Sequence, residues 1–147
     1  MQTSTHQNPV RFLLVEDDED HAVLIQRAMK ENRIANALEH CADGASAMKY
    51  LRREPPYEAA RRPDVVLLDL KLPIMDGHEV LDAIKSDDRL KSIPVVVLTT
   101  SQAESDRARA YARNANSYLV KPIDFQRFNN MIQDLKMYWA VWNQPPG

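Results

Sequence analysis

The feature that most constrains this chain is a fivefold alternation of short apolar runs with amphipathic stretches. Arg11–Glu16, Ala37–Cys41, Asp64–Asp69, Pro94–Thr99 and Ser117–Val120 read as strands. Ala22–Asn32, Ala45–Arg53, His78–Lys85, Gln102–Arg113 and Phe125–Trp142 read as helices. DVVLLD and PVVVLT are apolar throughout rather than alternating, which predicts strands buried on both faces. Such strands, separated by helices, predict a parallel sheet wound on both sides. With 147 residues, 44% of them hydrophobic, the chain is long enough for one domain with a real core. Ala22, Ile25, Ala28 and Met29 mark the buried face of the first helix. Phe128, Met131, Ile132, Leu135 and Trp139 mark that of the last, which Asp124 is placed to cap. Residues 1–9 read as a polar tail, and REPPYEAARRP (53–63), with three prolines and an arginine cluster, as a long loop.

Several function classes fall away. A formal net charge of −2 gives no basic field for nucleic acid. The single Cys41 excludes an internal disulfide and a multi-cysteine zinc site, and reads as a small buried residue. The start MQTSTHQNPV lacks a secretory pattern. The longest apolar runs, Val65–Leu68 and Val95–Leu98, fall far short of the ~20 residues that cross a bilayer. A soluble, cytoplasmic protein is expected. Glycine occurs only at 44, 77 and 147, so neither a Walker loop nor a dinucleotide fingerprint is present.

Ligands of such sheets bind beyond the carboxyl ends of the strands. There the sequence places Glu16-Asp17-Asp18, Asp69, Thr99-Thr100 and Lys121-Pro122. Carboxylates about 4 Å apart repel by roughly 4 kcal/mol at an effective dielectric near 20. A hard cation offsets this, and Mg²⁺ favours a few carboxylates with phosphate oxygens. The set therefore suits Mg²⁺ and a phosphoryl group, with one carboxylate as nucleophile and with Lys121 and Thr99 contacting phosphoryl oxygens.

LLVEDDED, LLDLKLPIMDG, VVVLTTS and YLVKP, in that order, resemble the receiver domain of two-component response regulators. The resemblance runs from about Arg11 to Met137. It implies a flavodoxin-like α/β fold: a doubly wound, five-stranded parallel sheet of order 2-1-3-4-5 with five helices. It implies that Asp69 is the phosphoacceptor for a histidine kinase, and that Glu16 and Asp17 hold Mg²⁺ with Asp69 and the Lys71 carbonyl. Lys121 matches the phosphoryl-binding lysine, followed by a cis peptide to Pro122. Thr99 and Tyr118 match the switch pair that turns inward on phosphorylation. Asp18 falls outside the metal's ligands. Thr100 and Lys71 occupy positions that tune water access to the acyl phosphate.

The long Pro/Arg loop, SDDRLKSIPVVVLTTS and the aromatic segment Tyr138–Trp142 resemble, more narrowly, the stand-alone regulators paired with bacterial and cyanobacterial phytochromes. This implies a red-light-sensing kinase as partner, docking around His21–Ile25. The domain plan expected is a receiver at 10–142 between tails at 1–9 and 143–147, without an output domain. A homodimer through the fourth helix, fifth strand and last helix is expected, with Trp139 and Trp142 as candidate contacts. His21, His40 and His78 lack ligand spacing and read as structural or surface residues; Arg52, Arg53, Arg61 and Arg62 read as a solvated loop. The rival reading is an aspartyl-phosphate phosphohydrolase of the haloacid-dehalogenase type. That class needs an acid two residues after the nucleophile, where this chain has Lys71. A DNA-binding regulator would need a helix-turn-helix module.

Overall fold

The computed structural model describes residues 10–31, 37–124 and 126–131. Five strands, β1 (Arg11–Val15), β2 (Ala37–Cys41), β3 (Val65–Leu68), β4 (Val95–Thr99) and β5 (Ser117–Val120), form one sheet of order β2-β1-β3-β4-β5. Every pairing is parallel, with Leu13 opposite Val66, Leu67 opposite Val96 and Val97 opposite Tyr118. Four helices lie between them: α1 (Glu19–Glu31), α2 (Gly44–Arg52), α3 (Gly77–Ser86) and α4 (Glu104–Ala112). Residues 126–131 are helical and open the fifth. The expected topology is present.

Side chains of successive strand residues point to opposite faces, so each apolar strand feeds two cores. Phe12, Leu14, Leu67, Val96 and Leu98 pack on one face with Ala22, Ile25 and Met29 of α1 and with Phe128. Leu13, Val15, Val66, Leu68, Val95 and Val97 pack on the other with Ala47, Met48, Val80, Leu81, Ile84 and Ala110 of α2, α3 and α4. All residues of β3 and β4 are buried, as unbroken apolar runs predict. Of the last-helix stripe, Ile132, Leu135 and Trp139 lie outside the described residues, as do residues 1–9, Asn32 and Trp142.

Local chemistry sets where helices begin. Asp43 caps α2 by accepting from the Ser46 amide at 2.7 Å, and Asp76 caps α3 by accepting from Glu79 at 3.0 Å. Asp124 Oδ1 accepts from Gln126 and Arg127, as anticipated. The first helix starts earlier than the apolar pattern suggests, at Glu19 rather than Ala22. The Asp18 side chain accepts from the Asp20 and His21 amides, turning the acidic run into the first turn. The fourth helix starts later than expected, at Glu104. Its N-cap, Ala103, has no capping side chain, and Ser101 Oγ accepts the Ala103 amide instead.

The 53–63 loop is more ordered than its composition suggests. Arg53 ends α2 in the left-handed region (φ 56°), its amide bonding back to Lys49 and Tyr50. Tyr57 stacks edge-on against Tyr50 at 5.5 Å, and the Tyr50 hydroxyl donates to the Arg61 carbonyl. Arg62 does not simply face water: it donates to the Arg89 carbonyl and to Ser92 Oγ. β3 then starts beside β1, where Asp64 Oδ2 accepts from the Arg11 amide at 2.8 Å.

Candidate functional site

The sheet brings its sequence-distant polar ends together at one edge. Glu16 follows β1, its amide donating to the Cys41 carbonyl of β2 at 3.0 Å. Asp69 follows β3, its amide donating to Val15 of β1 at 3.0 Å. Lys121 follows β5, its amide donating to Thr99 of β4 at 2.8 Å. Each functional residue is thus the next rung after a strand, held by the neighbouring strand's last carbonyl.

Carboxylate oxygens of Glu16, Asp17 and Asp69 lie within 4.8 Å of one another. Asp17 is exposed, whereas Glu16 and Asp69 are buried. The Lys121 ammonium reaches between the buried pair, donating to Glu16 Oε1 and to Asp69 Oδ2, the latter at 3.3 Å. Three carboxylates thus face one ammonium. Burial pushes the Glu16 carboxyl above its ordinary range and the nearby Asp69 adds to this, while Lys121 opposes it. An oxygen-only, anionic, partly open set is what a hard divalent cation requires. The Lys71 amide donates to Asp69 Oδ1 at 3.3 Å, fixing the carboxylate's turn. In the loop that follows, Met75 N bonds to Pro73 O around Ile74, whose φ is 71°. For a β-branched residue that is a strained conformation, held here in a tight γ-turn with the side chain 83% exposed.

Thr99 is fully buried, and its Oγ1 accepts from the Ser101 amide at 3.3 Å rather than bonding to Asp69. Tyr118 is buried with its hydroxyl on the Ser101 carbonyl at 3.1 Å, and the Arg107 guanidinium lies 5.5 Å over its ring. Thr99 and Tyr118 therefore meet on one residue, Ser101, which also donates through Oγ to Asp106 at 2.6 Å. That bond and the contact with His78 Nε2 hold the Asp106 carboxyl below its usual range. The Lys121–Pro122 peptide is cis, as is Pro55–Pro56.

A receiver-domain family model matches residues 12–133 of the chain. The chain belongs to the response regulator receiver domain family. Receivers are signalling proteins, and this one is 46% identical over 143 residues to the probable methanogenesis regulatory protein FilR2 of Methanothrix harundinacea (96% of this chain, 90% of that one). It is 41% identical over 137 residues to response regulator Rcp1 of Synechocystis (92% and 93%). The solved structure of the bacteriophytochrome response regulator RtBRR superposes with a TM-score of 0.79 at 44% identity, covering 95% of this chain and 85% of that one. The Mn²⁺-bound form of Rcp1 superposes with a TM-score of 0.75 at 40% identity, covering 95% and 100%. These relationships support the stand-alone, phytochrome-type subgroup read from the loop and SDDRLKSIPVVVLTTS. The receiver-family match sets aside the haloacid-dehalogenase-type reading. Among the described residues, no helix is long and apolar enough to cross a membrane.

Two histidines do more than their spacing suggested. His40 Nε2 donates to the Glu16 carbonyl at 2.7 Å, bracing the backbone beside the acidic trio. His21 Nδ1 lies 3.1 Å from Lys121 Nζ, a contact across 100 residues of sequence. The sequence cue is the place of His21 in the first turn of the helix that follows the acidic pair, which points its side chain back toward the strand end.

Proposed function

We propose that this receiver takes a phosphoryl group from a histidine kinase onto Asp69, with Mg²⁺ held by Glu16, Asp17, Asp69 and the Lys71 carbonyl. The supporting observation is the convergence of the acidic trio with Lys121 Nζ, 3.3 Å from Asp69 Oδ2. Asp69 supplies a carboxylate oxygen that attacks phosphorus. The new O–P bond forms as the N–P bond of the kinase phosphohistidine breaks, and the imidazole nitrogen leaves with the electron pair. Lys121 donates to a phosphoryl oxygen as charge redistributes. Mg²⁺, when bound, neutralises carboxylate and phosphoryl charge. Thr99 and Tyr118 act as the switch pair: the gain of charge at Asp69 draws the Thr99 hydroxyl toward it. The Ser101 contacts shared with Tyr118 carry that shift to α4 and β5.

The partner kinase we assign is of phytochrome type, supported by the similarity to RtBRR and Rcp1. Identity to FilR2 is as high, so the choice of input rests with the kinase that docks on α1. The receiver unit spans 10–142, is cytoplasmic, catalyses only its own phosphorylation and dephosphorylation, and signals through protein contacts. One such contact is a homodimer through α4, β5 and the last helix, where Tyr111 is 46% exposed on α4. Acetyl phosphate with Mg²⁺ should label the wild type and fail to label Asp69→Asn. Persistent labelling of Asp69→Asn overturns the assignment.

A further inference from the structure

We propose that His21 is a positioning residue for phosphoryl transfer, seating the Lys121 ammonium from the α1 side. The inference rests on the reading of Asp69 as phosphoacceptor and adds a residue to its machinery. A lysine ammonium has three N–H donors and no acceptor. Among the described residues three acceptors surround this one: Glu16 Oε1, Asp69 Oδ2 at 3.3 Å and His21 Nδ1 at 3.1 Å. An ammonium can only donate, so in this contact Nδ1 serves as the acceptor.

The three acceptors are not equivalent during the reaction. Glu16 and Asp69 are the oxygens that a hard cation claims, and Asp69 loses a carboxylate oxygen to the new bond with phosphorus. His21 is a nitrogen ligand, which Mg²⁺ leaves aside in favour of oxygen. Among the described residues it is therefore the partner of Lys121 that stays unchanged while the carboxylates change hands. Its backbone is fixed by the helix start, where the His21 amide donates to Asp18 Oδ1 at 3.2 Å, and the same carboxylate lies beside the ring, with Nε2 3.7 Å from Asp18 Oδ2. His21 thus fixes the distance of Lys121 from the phosphoryl oxygen by a contact that α1 controls.

With acetyl phosphate as donor, an Asp69 oxygen bonds to phosphorus as the P–O bond to acetate breaks, and acetate leaves with the electron pair. The test measures this labelling at fixed, saturating Mg²⁺ over a range of acetyl phosphate. His21→Leu keeps the bulk and removes the acceptor, and at 39% side-chain exposure the change leaves no buried cavity. His21→Asn puts a carbonyl oxygen near the place of Nδ1. We expect His21→Leu to lower the saturating rate roughly tenfold, the scale of one lost charge-assisted hydrogen bond, with the half-saturating concentration within about twofold. His21→Asn should recover most of that loss. A merely structural role would slow both variants alike. Wild-type rates in His21→Leu, or equal slowing of both variants, overturn the positioning role alone. Labelling of Asp69→Asn in the same assay overturns the phosphoacceptor reading and this inference with it.

Discussion

Both described glycines of this chain press against the loop that carries Asp69, and Gly77→Ala tests what that contact is worth. A Cβ at Gly77 would lie 2.2 Å from the Asp69 carbonyl oxygen and 2.5 Å from Leu70 Cα. Carbon atoms pack at about 3.5–4.0 Å, so the turn must give by about 1 Å. Neither clashing atom is the free end of a side chain, and the Gly77 amide donates to the Leu70 carbonyl at 2.9 Å, tying the two limbs together. Overpacking of this kind costs about 1–3 kcal/mol, and backbone partners put it at the upper end. The helix preference of alanine returns less than about 1 kcal/mol at a first helical residue. A net loss of about 2 kcal/mol is expected from urea unfolding. A shift of about 1 Å at a reacting group slows chemistry on the order of a hundredfold, and acetyl phosphate labelling of Asp69 should slow on that scale. Gly44→Ala is the matched comparison, since its Cβ would meet the Met75 carbonyl oxygen at 2.1 Å and Val80 Cγ2 at 2.7 Å. That clash falls at the far end of the loop, so stability should drop comparably while labelling slows much less. Wild-type stability and labelling in Gly77→Ala would refute the reasoning, as would equal slowing in both variants.

Two further outcomes follow from the same geometry. Burial pushes the Cys41 thiol up to about 11. A raised folded-state value means the contribution is intact below the ordinary thiol range and lost as pH rises through about 11. The stability difference between wild type and Cys41→Val should therefore shrink by about 3 kcal/mol or less between pH ~8.5 and ~11. A flat difference in chemical denaturation would count against it. Mg²⁺ at a hundred times its Kd should stabilise the wild type by about 2.7 kcal/mol, read as a rise in Tm that chelation reverses. Asp17→Ala should lose most of that rise, and an undiminished rise in the variant would place the metal elsewhere.

The strands that build the site were legible because both faces of β3 and β4 are buried, which leaves unbroken apolar runs such as VVLL. Their polar terminators were legible for the same reason: a charge after such a run has only the sheet edge to occupy. The residues that act by tertiary contact were not. His21 meets Lys121 across 100 positions and Arg62 reaches Ser92 across 30, and neither separation leaves a periodic signal. The start of α1 is legible only in part: the apolar stripe begins at Ala22, while Asp18–Asp20 suit a charged helix start, and Asp18 spends its carboxylate on two backbone amides there. The late start of α4 was missed because its capping group, Ser101, also serves Asp106 and sits before the helix proper.

The segment at 53–63 has a consequence for how this scaffold can be varied. Its entrance is closed by the left-handed turn at Arg53, and its exit by Arg62 on Ser92 and Asp64 on Arg11. Between those anchors Tyr57 leans on Tyr50 and interacts with Cys41 and Ser46, whereas Glu58 and Ala59 are exposed, so added length at 58–59 costs mainly the slowly growing entropy of a longer loop. Asp64, tied to the Arg11 amide one residue before β3, separates this segment from the strand that leads to Asp69. A reporter or a new recognition element grafted at the exposed Glu58–Ala59 would be carried by the receiver provided that Tyr57 keeps its place beside Cys41, whose carbonyl holds the Glu16 amide.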